Sequence, residues 1–264
     1  MPDCRMDEKP IMKVSIITCC YNRAATIRGA IESVLAQDYS DIEYIVVDGA
    51  SKDGSLDVIN EYKDRITTIL SEPDHGMYEA INKGIRLATG DIVALVHSDD
   101  FLYDNHVVSD VVREMEKTGA VFLYADGLFV DANNTQKVVR NWIGGKYRRQ
   151  KVKFGWLPLH PTCYIKRNVI EQHGLYDETY KMAADTDFLI RYLYEARLKV
   201  TYLHRYVVRM RMGGMSTDRS RMKAMWKEDV AIMRKHGFSP VATKLMKMMW
   251  KVPQFVTAKF LTLR

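Results

Sequence analysis

Apolar and polar positions alternate between two rhythms through the first part of the chain. Val14 to Thr18 is a short β-branched run bounded by Lys13 and the polar Tyr21-Asn22-Arg23, the pattern of a buried strand. It gives way to Ile27, Ala30, Ile31, Val34 and Leu35, spaced by three and four residues on one helical face that Thr26 is placed to cap. Glu43 to Val47 predicts a second buried strand ending at Asp48, and Leu56, Ile59 and Tyr62 predict a helix over Ser55 to Tyr62. Ile66 to Leu70 and Ile92 to Val96 predict two more strands, with a helix from Tyr78 to Leu87 between them that Gly90 closes off. Such alternation predicts a mostly parallel sheet with right-handed crossovers.

After Asp100 the rhythm weakens. His106 to Lys117 reads as a helix and Val121 to Val130 as a strand; Asp131-Ala132-Asn133-Asn134 reads as a hairpin turn into Lys137 to Trp142. Asp187 to Ala196 predicts another helix, Val200 to Leu203 and Tyr206 to Met210 two strands, and Ser220 to His236 a long basic helix. The second half is therefore mixed, and no internal repeat is visible.

With 264 residues, 47% of them hydrophobic and 27% charged, the chain fits one large domain or two small ones and is not a disordered or low-complexity polymer. A formal net charge of +6 suits anionic partners but falls short of a nucleic-acid coat, so no nucleic-acid partner is expected. Cys4, Cys19, Cys20 and Cys163 form no CxxC pair and no zinc spacing, and read as reduced thiols of a cytoplasmic protein. Asp3, Arg5, Asp7, Glu8 and Lys9 occupy the start where a signal peptide needs an apolar core, and no apolar run approaches the ~18 residues of a membrane span.

In open α/β sheets ligands bind beyond the carboxyl ends of the strands. Three such ends carry candidate chemistry. Tyr21, Asn22 and Arg23 follow the first strand, offering a ring for a base and a cation for a phosphate, although an ordinary polar loop explains the segment equally well. Asp48 opens Asp48-Gly49-Ala50-Ser51-Lys52-Asp53-Gly54, where a carboxylate ends a strand and glycines let backbone approach a ligand; a capped turn is the bland alternative. Asp99 and Asp100 follow the fourth strand, a hard-oxygen pair suited to a divalent cation shared with phosphates. Neither a GxGxxG nor a GxxxxGK[ST] loop occurs, which removes the main support for dinucleotide-binding and P-loop readings.

Together the motifs are more specific than any one. Val14-Ser15-Ile16-Ile17-Thr18 through Tyr21-Asn22, Asp48-Gly49 with Ser51-Lys52-Asp53-Gly54, Asp74-His75-Gly76-Met77-Tyr78 through Asn82-Lys83-Gly84, and Gly90-Asp91 leading to Ser98-Asp99-Asp100 resemble the family 2 glycosyltransferases of GT-A fold over residues 12 to 215. The likeness is to bacterial enzymes building capsule, exopolysaccharide or O-antigen. It implies an α/β, Rossmann-like, mostly parallel central sheet with a mixed acceptor-side half and a helical C-terminal tail. The corresponding organisation is a polar lead-in over 1–11, a GT-A domain over 12–218 (nucleotide-sugar half 12–104, acceptor half 105–218) and a basic helical extension over 219–264.

The resemblance also implies roles. Tyr21 lies near the base, Asp48 bonds base or ribose, Thr18, Asn22, Arg23, Asn82 and Lys83 line the donor site, and Asp99 and Asp100 match the DxD-type element at ribose and metal, with Mn²⁺ or Mg²⁺ as cofactor. His97 stands where relatives often carry another carboxylate. Ala183-Ala184-Asp185-Thr186-Asp187-Phe188-Leu189-Ile190-Arg191 resembles the family's acidic motif, commonly ED-x-D-L-x-x-R, with Asp185 at the base position and Ala184 in place of the frequent Glu. Capping of the following helix is the competing reading of Asp185. On the acceptor side His160 either orients an acceptor or caps a turn, and Asp187 is a second carboxylate candidate. Gly213-Gly214-Met215-Ser216 resembles the segment that closes over the donor diphosphate.

The expected activity is inverting transfer of a sugar, from a UDP-sugar foremost, to a saccharide or lipid-linked acceptor. A non-catalytic nucleotide-sugar or carbohydrate-binding module on the same fold is the alternative, and a nucleotidyltransferase ranks last because Thr18 to Arg23 holds no glycine. The tail alternates cations with Met225, Trp226, Met246, Met249, Trp250 and Phe255, which suits either peripheral contact with the inner membrane face or packing on its own domain.

Overall fold

The computed structural model describes residues 11–213 and 222–261. The lead-in over 1–10, Cys4 among it, and Gly214, Met215 and Ser216 lie outside the described residues. Strands β1 (Val14–Cys20), β2 (Ile42–Asp48), β3 (Thr68–Ser71) and β4 (Ile92–Leu95) run parallel in the order β3-β2-β1-β4. Between them lie α1 (Ile27–Leu35), α2 (Ser55–Asn60) and α3 (Met77–Leu87). Successive strand residues face opposite sides, so Ile16, Tyr44 and Val46 pack with Ala30 and Ile31 of α1, while Ile17, Ile45 and Val47 pack with Ile81 and Ile85 of α3. Each such side chain contributes about 1.5–3 kcal/mol by leaving water. Helix α3 lies closest, since a Cβ at Gly84 would strike Ile17.

One continuous nine-stranded sheet runs through both halves. β4 pairs antiparallel with β8 (Tyr164–Lys166), and the sheet continues through β6 (Phe122–Val130) and β9 (Val200–Arg211) to β5 (Phe101–Leu102). β6 changes partner along its length: Phe122 and Leu123 pair with β8, whereas Gly127, Leu128, Phe129 and Val130 pair with β7 (Val138–Trp142). The two strands expected over 200–210 are one. Its register against β6 slips between Ala125, opposite Leu203, and Asp126, opposite Tyr206, so a bulge interrupts the apolar alternation that the sequence displays.

Helices α4 (Val107–Thr118), α5 (Arg149–Lys153) and α6 (Arg167–His173) fall near their expected places or in the loops. The helix expected over Asp187 to Ala196 starts earlier, as α7 (Ala184–Ile190), and continues into a wide turn over Arg191–Glu195. Ala183 occupies the position before it, so Asp185 lies inside the first turn rather than preceding it. Two helices end the described chain, α8 (Met222–Lys235) and α9 (Pro240–Ala258). Helix α9 packs on its own domain: Gln254 accepts from Arg140 Nε (2.6 Å), Thr257 from Asn141 (3.3 Å), and Trp250 Nε1 donates to the carbonyl of Phe154 (3.3 Å). Among the described residues Cys19, Cys20 and Cys163 are free thiols, and no helix is long and apolar enough to cross a membrane.

Candidate active site

The parallel register sets Cys20 opposite Asp48, so β1 and β2 release their loops side by side. These loops are fastened to each other. Asn22 N–H donates to Ser51 Oγ (2.9 Å), Lys52 N–H to Asn22 Oδ1 (2.9 Å) and Arg23 N–H to Ser55 Oγ (2.7 Å). The bonds hold Asn22 (φ 52°) and Ala50 (φ 57°) in the left-handed region, which costs a non-glycine residue about 1 kcal/mol or more. Gly49 leaves no room for a side chain: a Cβ would meet the Asp74 carboxylate at 2.5 Å and the Tyr21 ring at 3.2 Å. Backbone, ring and carboxylate thus converge at one point, and Tyr21, 62% exposed, presents its ring to solvent and to any base that stacks there.

Asp48 is buried beneath this point and accepts from Ser51 N–H (3.1 Å) and Ser71 Oγ (2.7 Å), which fix its carboxylate. Asp74 belongs to the same group. Burial raises its proton affinity, opposed by the Gly76 N–H it accepts. Three expected donor-site residues are engaged by protein partners, although Lys83 stays close enough to Asp74 for its charge to act on that carboxylate. Thr18 is fully buried and accepts from the Tyr44 phenol (3.1 Å), because its side chain falls on the core face of β1. Asn82 spends its amide on the Tyr176 carbonyl (2.9 Å), Glu178 (2.7 Å) and Tyr176 N–H (3.0 Å), fastening α3 to the second half. Lys83 is held by the Pro73 carbonyl (2.9 Å), Glu72 (2.9 Å) and Glu79 (3.3 Å).

At the end of β4, Asp99 is partly exposed and Asp100 buried. Burial and then the charge of Asp99 push the Asp100 carboxyl well above the usual carboxylate range, while Arg211 N–H donates to it (3.1 Å). Two adjacent carboxylates offer the hard oxygens that a magnesium- or manganese-sized cation takes, with the charge of Arg211 also acting on Asp100. Among the described residues no third His, Cys, Asp or Glu gathers with them.

The acceptor half contributes Asp185. Its carboxylate accepts from Thr186 N–H (2.8 Å) and from the Tyr78 phenol (3.3 Å), and burial raises its proton affinity against the opposing charge of Lys247. The approach to it is clamped by Glu228 of α8, which accepts from the N–H groups of Lys181 (2.9 Å), Met182 (2.8 Å) and Ala183 (2.9 Å). Tyr78 stacks on Tyr176 (5.8 Å between centroids), and Tyr176 stacks on Phe188 (4.1 Å).

His160 meets neither of its expected roles. It is buried at the joint of the halves, its Nε2 sharing a hydrogen with the Tyr176 phenol (2.5 Å) and its ring 6.1 Å from that of His97. Burial and then the neighbouring His97 pull its pKa down to about 3, so it is neutral throughout the working range. Asp187 is likewise engaged by protein partners. It is fully buried among Arg191 (2.9 Å), Lys235 (2.9 Å) and His236 (3.0 Å), since α7 turns the residue two after Asp185 into the core. Glu228 and the Tyr78 contact carry no local signal, because their partners lie far away in sequence; Tyr78 does fall within the Asp74-His75-Gly76-Met77-Tyr78 motif.

Residues 15–174, which supply all three strand ends, match the family described as glycosyl transferase family 2. The chain belongs to that family. Among family 2 relatives, a PGL/p-HBAD biosynthesis glycosyltransferase of Mycobacterium bovis is 29% identical over 207 residues, 76% of this chain and 78% of its own. An uncharacterized glycosyltransferase of Mycobacterium tuberculosis is 31% identical over 180 residues, 67% of this chain and 68% of its own. The fold is that of solved GT-A glycosyltransferases. S. aureus TarS 1-349 in complex with UDP-GlcNAc superposes with a TM-score of 0.70 at 17% identity, covering 94% of this chain and 73% of that one. The mannosyltransferase PcManGT of Pyrobaculum calidifontis, in complex with GDP-Man and Mn²⁺, superposes at 0.62 and 16% identity, covering 94% and 74%.

Proposed function

We propose that this family 2 glycosyltransferase moves a sugar, with inversion, from a UDP-sugar to a saccharide or lipid-linked acceptor of a bacterial surface polysaccharide at the inner membrane face. The observation that carries the reading is Asp185, a carboxylate of raised proton affinity on α7 of the second half, held by Thr186 N–H and by the phenol of Tyr78 reaching across from α3. In a single displacement the acceptor hydroxyl attacks the anomeric carbon, the bond from that carbon to the diphosphate oxygen breaks with its electrons, and the hydroxyl proton passes to Asp185. A base must therefore stand opposite the leaving group, the role this reading gives Asp185.

On the donor side Tyr21 stacks on the base, Asp48 accepts from base or ribose, and Asn22 and Arg23 border the diphosphate. Asp99 meets the ribose and, with Asp100, would hold Mn²⁺ or Mg²⁺. A bound cation supplies neutralisation of the charge developing on the leaving diphosphate. UDP is taken as the first base to test; the solved neighbours include one bound to UDP-GlcNAc and one bound to GDP-Man.

The test is a thermal-shift panel of UDP-, GDP-, CMP- and dTDP-sugars with and without Mn²⁺, since a ligand that binds the folded state raises Tm by mass action. A shift confined to UDP-sugars and enlarged by Mn²⁺ supports the reading. A GDP-sugar shift alone overturns the choice of base, and no shift with any of them overturns donor binding.

A further inference from the structure

Helix α9 is amphipathic, but its apolar side faces the wrong way for a core. The face toward the domain carries Thr243, buried with its hydroxyl on the Lys153 carbonyl (3.2 Å), together with Gln254 and Ala258. The opposite face shows Val241, Leu245, Met248 and Val252 at 68%, 59%, 59% and 62% exposure, spaced four, three and four apart along one stripe. Val256 and Phe260 extend it. A contiguous exposed apolar stripe of this size on an otherwise polar surface marks a docking face.

Charge selects the occupant. From Ser239 to Arg264 the chain has five cations, Lys244, Lys247, Lys251, Lys259 and Arg264, and no Asp or Glu. Two copies meeting through this face would bring like charges together, whereas an anionic bilayer surface takes both the apolar stripe and the lysines. We infer that α9 seats this protein on an anionic lipid bilayer through the Val241, Leu245, Met248 and Val252 stripe, with the exposed Lys244 beside it and Lys259 at its end. The indole of Trp250, turned to the Phe154 carbonyl, braces the helix from behind and is not the anchor.

The same helix carries Lys247, paired with Asp229 (3.3 Å), and both charges act on Asp185. Helix α9 is fastened to Arg140, Asn141, Lys153 and Phe154 of the second half, so seating it on a bilayer brings that half to the lipid, and the acceptor of choice is one whose saccharide is carried on a lipid. That last step rests on the reading of Asp185 as the base.

The experiment is co-sedimentation of the full chain with vesicles of phosphatidylcholine alone or mixed with phosphatidylglycerol. Point substitutions are used because removing α9 would uncover β7. Pelleting is expected with phosphatidylglycerol only, falling at least roughly tenfold in Met248→Glu/Val252→Glu and severalfold in Lys244→Gln/Lys259→Gln, with circular dichroism unchanged. Equal pelleting on both vesicles, none on either, or parental pelleting of both variants overturns the inference. So does a dimer in solution that Met248→Glu/Val252→Glu disperses. UDP-sugar thermal shifts on the same samples keep the two readings separate: pelleting without a donor response sinks sugar transfer and leaves the lipid seat standing, and a donor response without pelleting does the reverse.

Discussion

The Tyr78 phenol donates to the Asp185 carboxylate across 3.3 Å, joining α3 of the nucleotide-binding half to α7 of the acceptor half. Burial keeps this phenol protonated far above its usual range, so it is a permanent donor. A donor stabilises the ionised carboxylate and lowers its proton affinity. Tyr78→Phe keeps the ring on Tyr176 and deletes the donor, so the Asp185 carboxyl titrates higher and the acid limb of the kcat profile moves to higher pH. The expected loss of kcat is several-fold to about tenfold at neutral pH, with donor affinity unchanged. An acid limb that stays put would detach Tyr78 from the base.

Asp185→Asn removes the proton acceptor with little change of shape. Turnover should fall roughly a hundredfold or more while calorimetric donor affinity is retained. Near-normal turnover in steady-state kinetics would send the search for a base elsewhere.

Asp187→Asn should act on stability instead. The buried carboxylate is held far below the usual range: burial works against it, and His236, Lys235 and Arg191 outweigh burial. Its contribution is present above the unfolded carboxylate pKa of about 4 and is lost as pH falls below it. Uncovering three cations should cost about 3 kcal/mol at neutral pH, read as a lower denaturant midpoint. A variant as stable as the parent would contradict the ion cluster.

Asp100→Ala, and to a lesser degree Asp99→Ala, should abolish metal-dependent donor binding with the fold intact. Calorimetry with Mn²⁺ and with EDTA checks it. Donor binding indifferent to both substitutions and to chelation would remove the metal from the reaction.

Glu43 sets the acid limit of the donor half. Burial opposes its ionisation, but Ser15, Thr89 and Lys13 bond the carboxylate and bring its pKa down to about 2. The stabilisation is complete above the unfolded pKa of about 4.3 and disappears as pH falls toward 2. Glu43→Gln should lose about 2 kcal/mol at pH 7 and much less at pH 3. Thermal denaturation at the two pH values measures the difference, and equal losses would refute the assignment.

The β-branched runs over 14–18, 43–47 and 92–96 announced their strands because each lies inside a parallel sheet, where pattern and burial coincide. Tyr21, Asp48 and Asp100 were legible as strand-end groups for the same reason. Asn82, Lys83 and His160 were not. Their chemistry is consumed by partners such as Tyr176, which lies 94 positions from Asn82, and spacing along a chain says nothing about such partners. The merged strand over 200–211 was hidden by its bulge, and the start of α7 by a sequence with no capping side chain.

The Asn82 amide has a consequence for how this protein can be altered. It bonds the Tyr176 backbone in both directions and Glu178 besides, deep inside the joint. A chimera that takes its acceptor half from a relative would leave that amide stranded in a dry interior unless a matching peptide and carboxylate came with the graft. The two halves of this sheet are therefore resistant to exchange as whole units.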